Sequence, residues 1–461
     1  MVINYHCVKR TASDGYLNSL IKDTKLSSKI TFSRNPHITK TFLANGVSSP
    51  EVHGFIARNL IALTADTLDG KKAASQNFYW VLTELRSKKI PVHDLLHVHT
   101  VLARLGYFHL AKECRLLAKN TALLNYEIYG SRAPANFALE AFYAFLDQGN
   151  LAAAAKIILE RPWLCEVVPN LSPWLMILRR LGYLAHEEPY LQECKKRNAA
   201  FADYIKGKNV ALVGVSGRSS KNGEEIDNAD IVIRMNCMHS LSKEEQKSQG
   251  SRTNVVYCRS KLFRKYVPNN FSEFEKYREA NFIVSTEPAF SDGVEYGLFP
   301  PDLADEPSGQ NLRSTLAING YPSNVGLFNG HLNFGPRVVL DLFANNAASV
   351  SIYNMDFRTT KNYMNGYSPI GENNTQTLSR IMRDISCNDQ FSAFKFIQMF
   401  SSKGFVSGSK EFLNLLQMRD EGFYSLLEGA WQGVRTDILR YEFERRNYWN
   451  KARSRIFPSQ K

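Results

Sequence analysis

The sequence predicts an all-helical region followed by an α/β domain built on a mostly parallel, Rossmann-like sheet. Three observations carry this reading. Apolar residues recur at helical spacing from Ile56 to about Lys206. The run Val210 to Val215, VALVGV, is short, continuous and flanked by polar turns, as a strand buried on both faces should be. Beyond it, short strand-like runs alternate with helical segments, the pattern of parallel strands joined by crossovers.

A chain of 461 residues has room for two domains. Its 44% hydrophobic and 22% charged residues exclude a wholly disordered chain. The net charge of +13 would suit a nucleic acid, an anionic membrane surface or an acidic nucleotide-sugar. No zinc-finger spacing and no basic run interleaved with aromatics points to nucleic acid, which is therefore not an expected partner. Met1 to Ser13 lacks an apolar core of signal-peptide length, and no later segment approaches a membrane-spanning run. The seven cysteines are scattered and free of C-x-x-C, so free thiols in a reducing compartment are expected. These features imply a cytoplasmic protein, with a peripheral position at the inner face of an anionic membrane left open.

Four segments are expected. Residues 1–50 mix strand-like pieces with Ser, Asn and Pro and suggest no fold. Residues 51–206 carry helices over Ala73–Arg86, Leu95–Leu105, Ala135–Leu146 and Leu151–Leu159. In three places a helix ends at a glycine (Gly106, Gly149 or Gly182) and an amphipathic segment follows, which fits a C-cap between antiparallel helices. The unequal intervals leave two readings, a degenerate tetratricopeptide-like array of helical hairpins or an ordinary bundle. His93, His97 and His99 lie in this region, but only the first two share a helical face and no ligand pattern follows, so they are structural.

Residues 207–400 form the α/β domain. Strands are expected at Val210–Val215, Asp230–Arg234, Asn254–Tyr257, Asn281–Ser285, Val325–Phe328 and Ser349–Tyr353, and a helix over Pro336–Phe343. Residues 401–461 read as a helical extension with a basic, aromatic tail.

The loop GVSGRSSKNGEEID, Gly214 to Asp227, follows directly on the first strand. Gly214 and Gly217 allow a close turn, Ser216 adds a hydroxyl, and exposed amides there suit a phosphate. The loop is neither G-x-G-x-x-G nor the Walker sequence, so a plain strand-loop-helix turn stays open beside a phosphate site. The second strand ends in Ile233-Arg234-Met235-Asn236, at the edge where open α/β sheets place ligands. A buried Arg234 needs an anionic partner, either a ligand or an internal carboxylate such as Asp227 or Asp230.

The run VALVGVSGRSSKNGEEIDNADIVIRMN, followed by GSRT and a strand containing Tyr257, resembles the long sialyl motif of the animal-type sialyltransferases. That motif runs roughly V-V-G-N-S-G, a gap, G-x-x-I-D-x-x-D-x-V-I-R-M-N, then G-x-R-T. A second segment, His331 to Phe357, resembles the short sialyl motif, with Phe334-Gly335 at the position of a Ser/Thr-Gly pair. The resemblance spans about residues 208–400.

It implies an inverting glycosyltransferase using a CMP-activated donor such as sialic acid or a related nonulosonic or ulosonic acid, without an obligatory metal or other cofactor. By the same resemblance Gly214, Ser216 and Gly217 would lie at the donor phosphate, and Asn236 at phosphate or ribose. Asn333 to Gly335 would hold the cytidine or the sugar carboxylate. The departing phosphate would need positive or hydroxyl-bearing groups, for which Arg234, Arg252, Tyr257 and Tyr353 are the candidates by position. A structural salt bridge is the other reading of Arg252.

Three departures stand out. Val215 replaces the family's loop Asn, and no cysteines match the disulfide that joins the two family motifs. The histidine that the family places late in the domain as general base is also missing; Asn388 and Asp389 stand in the best-matching stretch. Asp389 would act as base or as a helix N-cap. His331 would act as base or phosphate ligand, or is an ordinary loop histidine; Asp356 would orient it or bind a hydroxyl. The expected acceptor is a glycan, a lipid-linked species or a protein, and the helical region would position it or a protein partner. Two other readings are a catalytically inactive scaffold and a transferase for another nucleotide-sugar.

Overall fold

The computed structural model describes residues 82–83, 90–167, 171–185, 199–216, 220–235, 241–258, 280–285, 312–314, 327–329, 332–361, 381–382, 385 and 389–437. Along the chain come α1 (Val92–Arg104), α2 (Phe108–Tyr129), α3 (Ala135–Asp147), α4 (Leu151–Glu160), α5 (Leu164–Val167), α6 (Ser172–Arg180) and α7 (Ala199–Ile205). Then follow β1 (Asn209–Val213), α8 (Gly223–Asp227), β2 (Ile231–Met235), α9 (Lys243–Gln249), β3 (Val255–Cys258), β4 (Phe282–Ser285) and β5 (Leu312–Ser314). The last elements are α10 (Phe334–Ala344), β6 (Ser349–Tyr353), α11 (Gln390–Ser402), β7 (Val406–Gly408), α12 (Lys410–Leu416) and α13 (Asp420–Trp431). The segment 1–50, most of Ala73–Arg86 and the tail after 437 lie outside the described residues.

The chain divides into two compact units, one drawn from Met1–Ala141, Glu372–Cys387 and Asp420–Lys461, the other from Phe142–Gly371 and Asn388–Arg419. These bounds differ from the four segments read in the sequence, because α13 groups with α1 and α2 while α11, β7 and α12 group with the sheet.

The three glycines expected to end helices all do so, by the same device. Gly106, Gly149 and Gly182 have φ of 80°, 74° and 80°. At each, the glycine amide and the next amide fold back on two carbonyls of the last turn, as in Gly106 N to Ala103 O at 3.0 Å and Tyr107 N to Leu102 O at 2.9 Å. This is the Schellman arrangement, which needs a left-handed residue and so favours glycine. In the first unit α2 packs on α1, and α13 is pinned to their turn. The His109 amide donates to Glu428 Oε2 at 2.8 Å. The Arg435 guanidinium lies 4.0 Å from the Tyr107 ring centroid while Nε donates to Gly106 O at 3.1 Å.

The second unit is a parallel sheet of seven described strands in the order β5-β4-β3-β2-β1-β6-β7. Val210 to Val213 of β1 and all of β2 are buried, which explains their unbroken apolar runs. The helix α10 is held at its C-terminus by Arg180, whose guanidinium donates to the Phe343 carbonyl and to Ala344 O at 2.8 Å, complementing the helix dipole. Phe343, Phe400 and Phe405 then form an aromatic cluster between α10, α11 and the strap into β7, with centroids 4.8 to 5.7 Å apart.

Two sequence expectations are revised here. Residues 327–328 of the expected strand Val325–Phe328 are not strand, and 325–326 lie outside the described residues. Conversely β7 falls where only helix was expected; three residues carry no legible alternation, and Gly408 lets the strand close on β6, since a Cβ there would sit 2.2 Å from Ile352 O.

Burial pushes the Glu140 carboxyl up to about 7, against an opposing pull from His93. A carboxyl raised in the fold keeps its proton longer there than in the unfolded chain, so stability falls as pH rises from the model value of 4.5 toward 7, then levels. Glu140→Gln is expected to stabilise the protein at pH 8 by at most about 3 kcal/mol, with little effect near pH 4.5, by urea unfolding at both pH values. An equal effect at the two pH values would contradict this account.

Candidate functional site

From β1 the chain steps through β2, β3, β4 and β5 to one side, then returns to place β6 and β7 on the other. The order reverses between β1 and β6, and because all strands are parallel their carboxyl ends share one edge. Open α/β sheets take ligands at that edge, at the point of reversal.

Gly214 leaves β1 at this point. Its amide donates to Tyr353 O at 2.8 Å, and the Ser216 amide donates to Asn354 O at 2.9 Å, so the two strand exits continue to pair past the sheet. A Cβ on Gly214 would lie 2.3 Å from Asn354 O and 3.3 Å from Met355 Cα. Only glycine allows this approach, because the obstruction is backbone and cannot turn aside.

The N-terminus of α10 reaches the same edge. A Cβ on Gly335 would meet Met355 Cε at 2.5 Å and Met235 Cε at 3.8 Å, so the first turn of α10 rests on methionines from the exits of β6 and β2. At its N-cap, Asn333 makes no side-chain cap; its Nδ2 donates instead to Gln390 Oε1 at 2.8 Å. Pro336 removes one amide from the first turn. The amide end of an 11-residue helix without a side-chain cap carries partial positive charge and suits an anion.

The segment after β6 is unusual in backbone. Asn354, Phe357 and Arg358 have φ of 51°, 49° and 66°. Such conformations are costly for residues other than glycine and persist where the surroundings impose them. Asp356 supports the turn: its Oδ1 accepts from the Arg358 amide at 3.1 Å, its Oδ2 accepts from Thr360 Oγ1 at 2.5 Å, and its own carbonyl accepts from the Thr359 amide at 2.9 Å.

Four polar atoms here are buried and without a hydrogen-bond partner: Ser216 Oγ, Gln249 Oε1, Asn333 Oδ1 and Asn354 Oδ1. Each leaves about 1–3 kcal/mol of desolvation uncompensated. Three come from residues only 2–3% exposed, Ser216, Gln249 and Asn354. Buried polar groups are ordinarily paired, and orphans gathered at a ligand edge mark a place where partners come from outside the chain.

Several expected site residues have internal partners instead. Arg234 is buried; its Nε donates to Thr253 Oγ1 at 2.8 Å and its Nη2 to Gly250 O at 2.8 Å and Arg252 O at 2.9 Å. Asp227 accepts from the Ser251 amide at 2.7 Å and the Arg252 amide at 2.9 Å, while Arg252 donates to the carbonyls of Asp227 and, at 2.9 Å, Ala229. Burial would raise the Asp227 carboxyl, but these bonds from Ser251 and Arg252 outweigh it and hold the group below its ordinary value. The network joins the turn before β2 to the strap before β3, so Arg252 lies at the amino edge, opposite the ligand edge. The internal-partner reading of Arg234 and the structural reading of Arg252 are the ones these bonds fit.

Tyr257 is buried and donates to Asp341 Oδ2 at 2.6 Å. Tyr353 packs with Ala211, Val213 and Ile226 under α8 and donates to Glu225 Oε1 at 2.9 Å. Burial and the Glu225 carboxylate push its hydroxyl well above the ordinary range. Asp389 is the N-cap of α11, accepting from the amides of Phe391 at 3.1 Å and Ser392 at 3.3 Å and from Ser392 Oγ at 2.7 Å. The N-cap alternative for Asp389 is thus what its contacts fit. Gly217, Asn236 and His331 lie outside the described residues.

The geometry therefore brings together Gly214, Ser216, Asn333, Gly335 and Asp356, and adds Asn354, Gln249 and Met355, which sequence reasoning missed. For Asn354 a signal was present: an Asn directly after a strand is among the few residues that tolerate the left-handed region. Gln249 carried none. Among the described residues no group of three or more His, Cys, Asp or Glu is placed to hold a metal ion, and no helix is long and apolar enough to cross a membrane.

Gly214→Ala is expected to destabilise the protein by at least about 3 kcal/mol, since the added methyl collides with backbone. Gly429→Ala, within α13 where a Cβ meets nothing within 4 Å, is the control and should stabilise by up to about 1 kcal/mol. Thermal unfolding of both variants distinguishes them; equal and small effects would remove the close approach at Gly214 as a constraint. In comparisons with known proteins, no family model matches this chain and no curated protein matches it.

Proposed function

We propose that the sheet-bearing unit binds a nucleotide-linked sugar at the reversal point between β1 and β6, and acts as an inverting glycosyltransferase for a CMP-activated acidic sugar. The observation that carries the reading is the convergence of the Gly214 loop and the N-terminus of α10 on one edge of a doubly wound parallel sheet. Two sources of amide dipole at a reversal point suit a phosphate and a carboxylate on one ligand. The resemblance of Val210–Asn236 and His331–Phe357 to the sialyl motifs supplies the choice of cytidine and of sugar acid. The +13 charge favours an anionic donor and an anionic membrane surface near a glycan, lipid-linked or protein acceptor. No obligatory metal or other cofactor enters this reading.

For the base that takes the acceptor proton, His331 is the remaining candidate. Both oxygens of Asp389 and of Asp356 already accept hydrogen bonds within their own turns. His331 stands two positions before Asn333 in the chain, beside the proposed site. The same occupation of the two aspartates favours a second reading, in which the unit binds the nucleotide as a scaffold without catalysis.

Calorimetric titration of the full chain with CMP, alongside UMP and GMP, tests the donor. CMP is expected to bind at least about tenfold more tightly than either control, a difference of about 1.4 kcal/mol. Equal binding of the three, or none, contradicts the cytidine assignment. His331→Ala should retain CMP binding and lose sugar transfer from a CMP-activated donor; a wild-type chain that binds CMP and never transfers points to the scaffold.

A further inference from the structure

The unpartnered oxygens at the reversal point lie along one short tract of backbone. Ser216 is tied to Asn354 by the 2.9 Å bond from its amide, and Asn354 Nδ2 donates to Ser248 O at 3.3 Å, next to Gln249. That last bond also orients the Asn354 amide, directing its Oδ1 away from Ser248. The atoms left over are a hydroxyl and two amide carbonyl oxygens, Ser216 Oγ, Asn354 Oδ1 and Gln249 Oε1. None carries charge, and the two amide oxygens only accept.

This chemistry differs from that of an anion subsite. A phosphate or carboxylate brings acceptors, and two carbonyl oxygens would repel it. The complementary ligand brings neutral donors, and on a nucleotide-sugar those are ring hydroxyls. We propose that Ser216, Asn354 and Gln249 form a hydroxyl-recognising subsite, which takes adjacent ring hydroxyls of the bound ligand and makes it selective for a fully hydroxylated sugar. The proposal rests on the nucleotide-linked ligand proposed above. It divides the site in two: amides of the Gly214 loop and of α10 face the anionic groups, and side-chain oxygens face the hydroxyls.

The hydroxyls belong either to the ribose or to the transferred sugar, and the probes separate these. The full chain is titrated with CMP, with 2′,3′-dideoxy-CMP and with CMP-activated sialic acid. The variants are Ser216→Ala, Gln249→Met and Asn354→Gly, the last chosen because glycine keeps the φ of 51°. If the ribose is held, CMP binds about tenfold more tightly than its dideoxy form, and the variants erase that difference. If the transferred sugar is held, CMP-activated sialic acid binds about tenfold more tightly than CMP, and the variants erase that gain.

Under either arm the Ser216→Ala and Gln249→Met proteins melt no lower than wild type, because each loses an acceptor that was unpaired in the free protein. Variants that bind every probe as wild type does overturn the subsite and leave the donor reading intact. Variants in which melting temperature and affinity fall together also overturn it, since that is the signature of packing. If no probe binds the wild-type chain, the donor reading falls and the subsite with it.

Discussion

The approach of two backbone segments, the exits of β1 and β6, is the constraint on which the rest of the sheet unit depends. With Gly214 lying where a Cβ would stand 2.3 Å from Asn354 O, the bonds from the Gly214 and Ser216 amides extend strand pairing beyond the sheet. The β6 exit must then leave its strand through a left-handed Asn354. Its next residues bend sharply, Met355 is delivered under the first turn of α10, and the helix terminus comes to the reversal point. One missing methyl group thus links strand order, loop shape and the placing of a helix dipole.

A second network at the opposite edge explains a spacing that looked functional in the sequence. Asp227, Arg234 and the strap Gly250 to Thr253 lock together through backbone amides and carbonyls, fixing β3 beside β2. The I-D, V-I-R and G-S-R-T elements of the sialyl-like run are held in register by this lock, so their spacing reports on the fold. The glycine loop and the α10 entrance are the parts that face the ligand edge. Similarity of the whole run therefore carries more about architecture than about chemistry.

Much of the architecture was legible because it depends on local rules. Unbroken apolar runs marked β1 and β2, and glycines after amphipathic stretches marked three Schellman caps with φ of 74° to 80°. The short edge strands β5 and β7 were not legible, since three residues carry no period and pairing with a neighbour decides them. The site divided in the same way. Gly214, Ser216 and Gly335 follow from strand-loop-helix logic. The residue types of Arg234, Arg252, Tyr257 and Asp389 suit binding or catalysis equally well, and only their hydrogen bonds reveal internal work. Gln249 and Asn354 became visible through unpaired oxygens, a property of packing that no spacing encodes.

The central claim is that the carboxyl edge between β1 and β6 is the ligand site, and amide hydrogen exchange with and without CMP tests it most directly. The account predicts that CMP slows exchange in peptides covering Val210 to Ser216, Asn333 to Arg337 and Tyr353 to Arg358. The strap Gly250 to Asn254 at the opposite edge should be unchanged. Protection confined to that strap, or found in neither place, would contradict the claim.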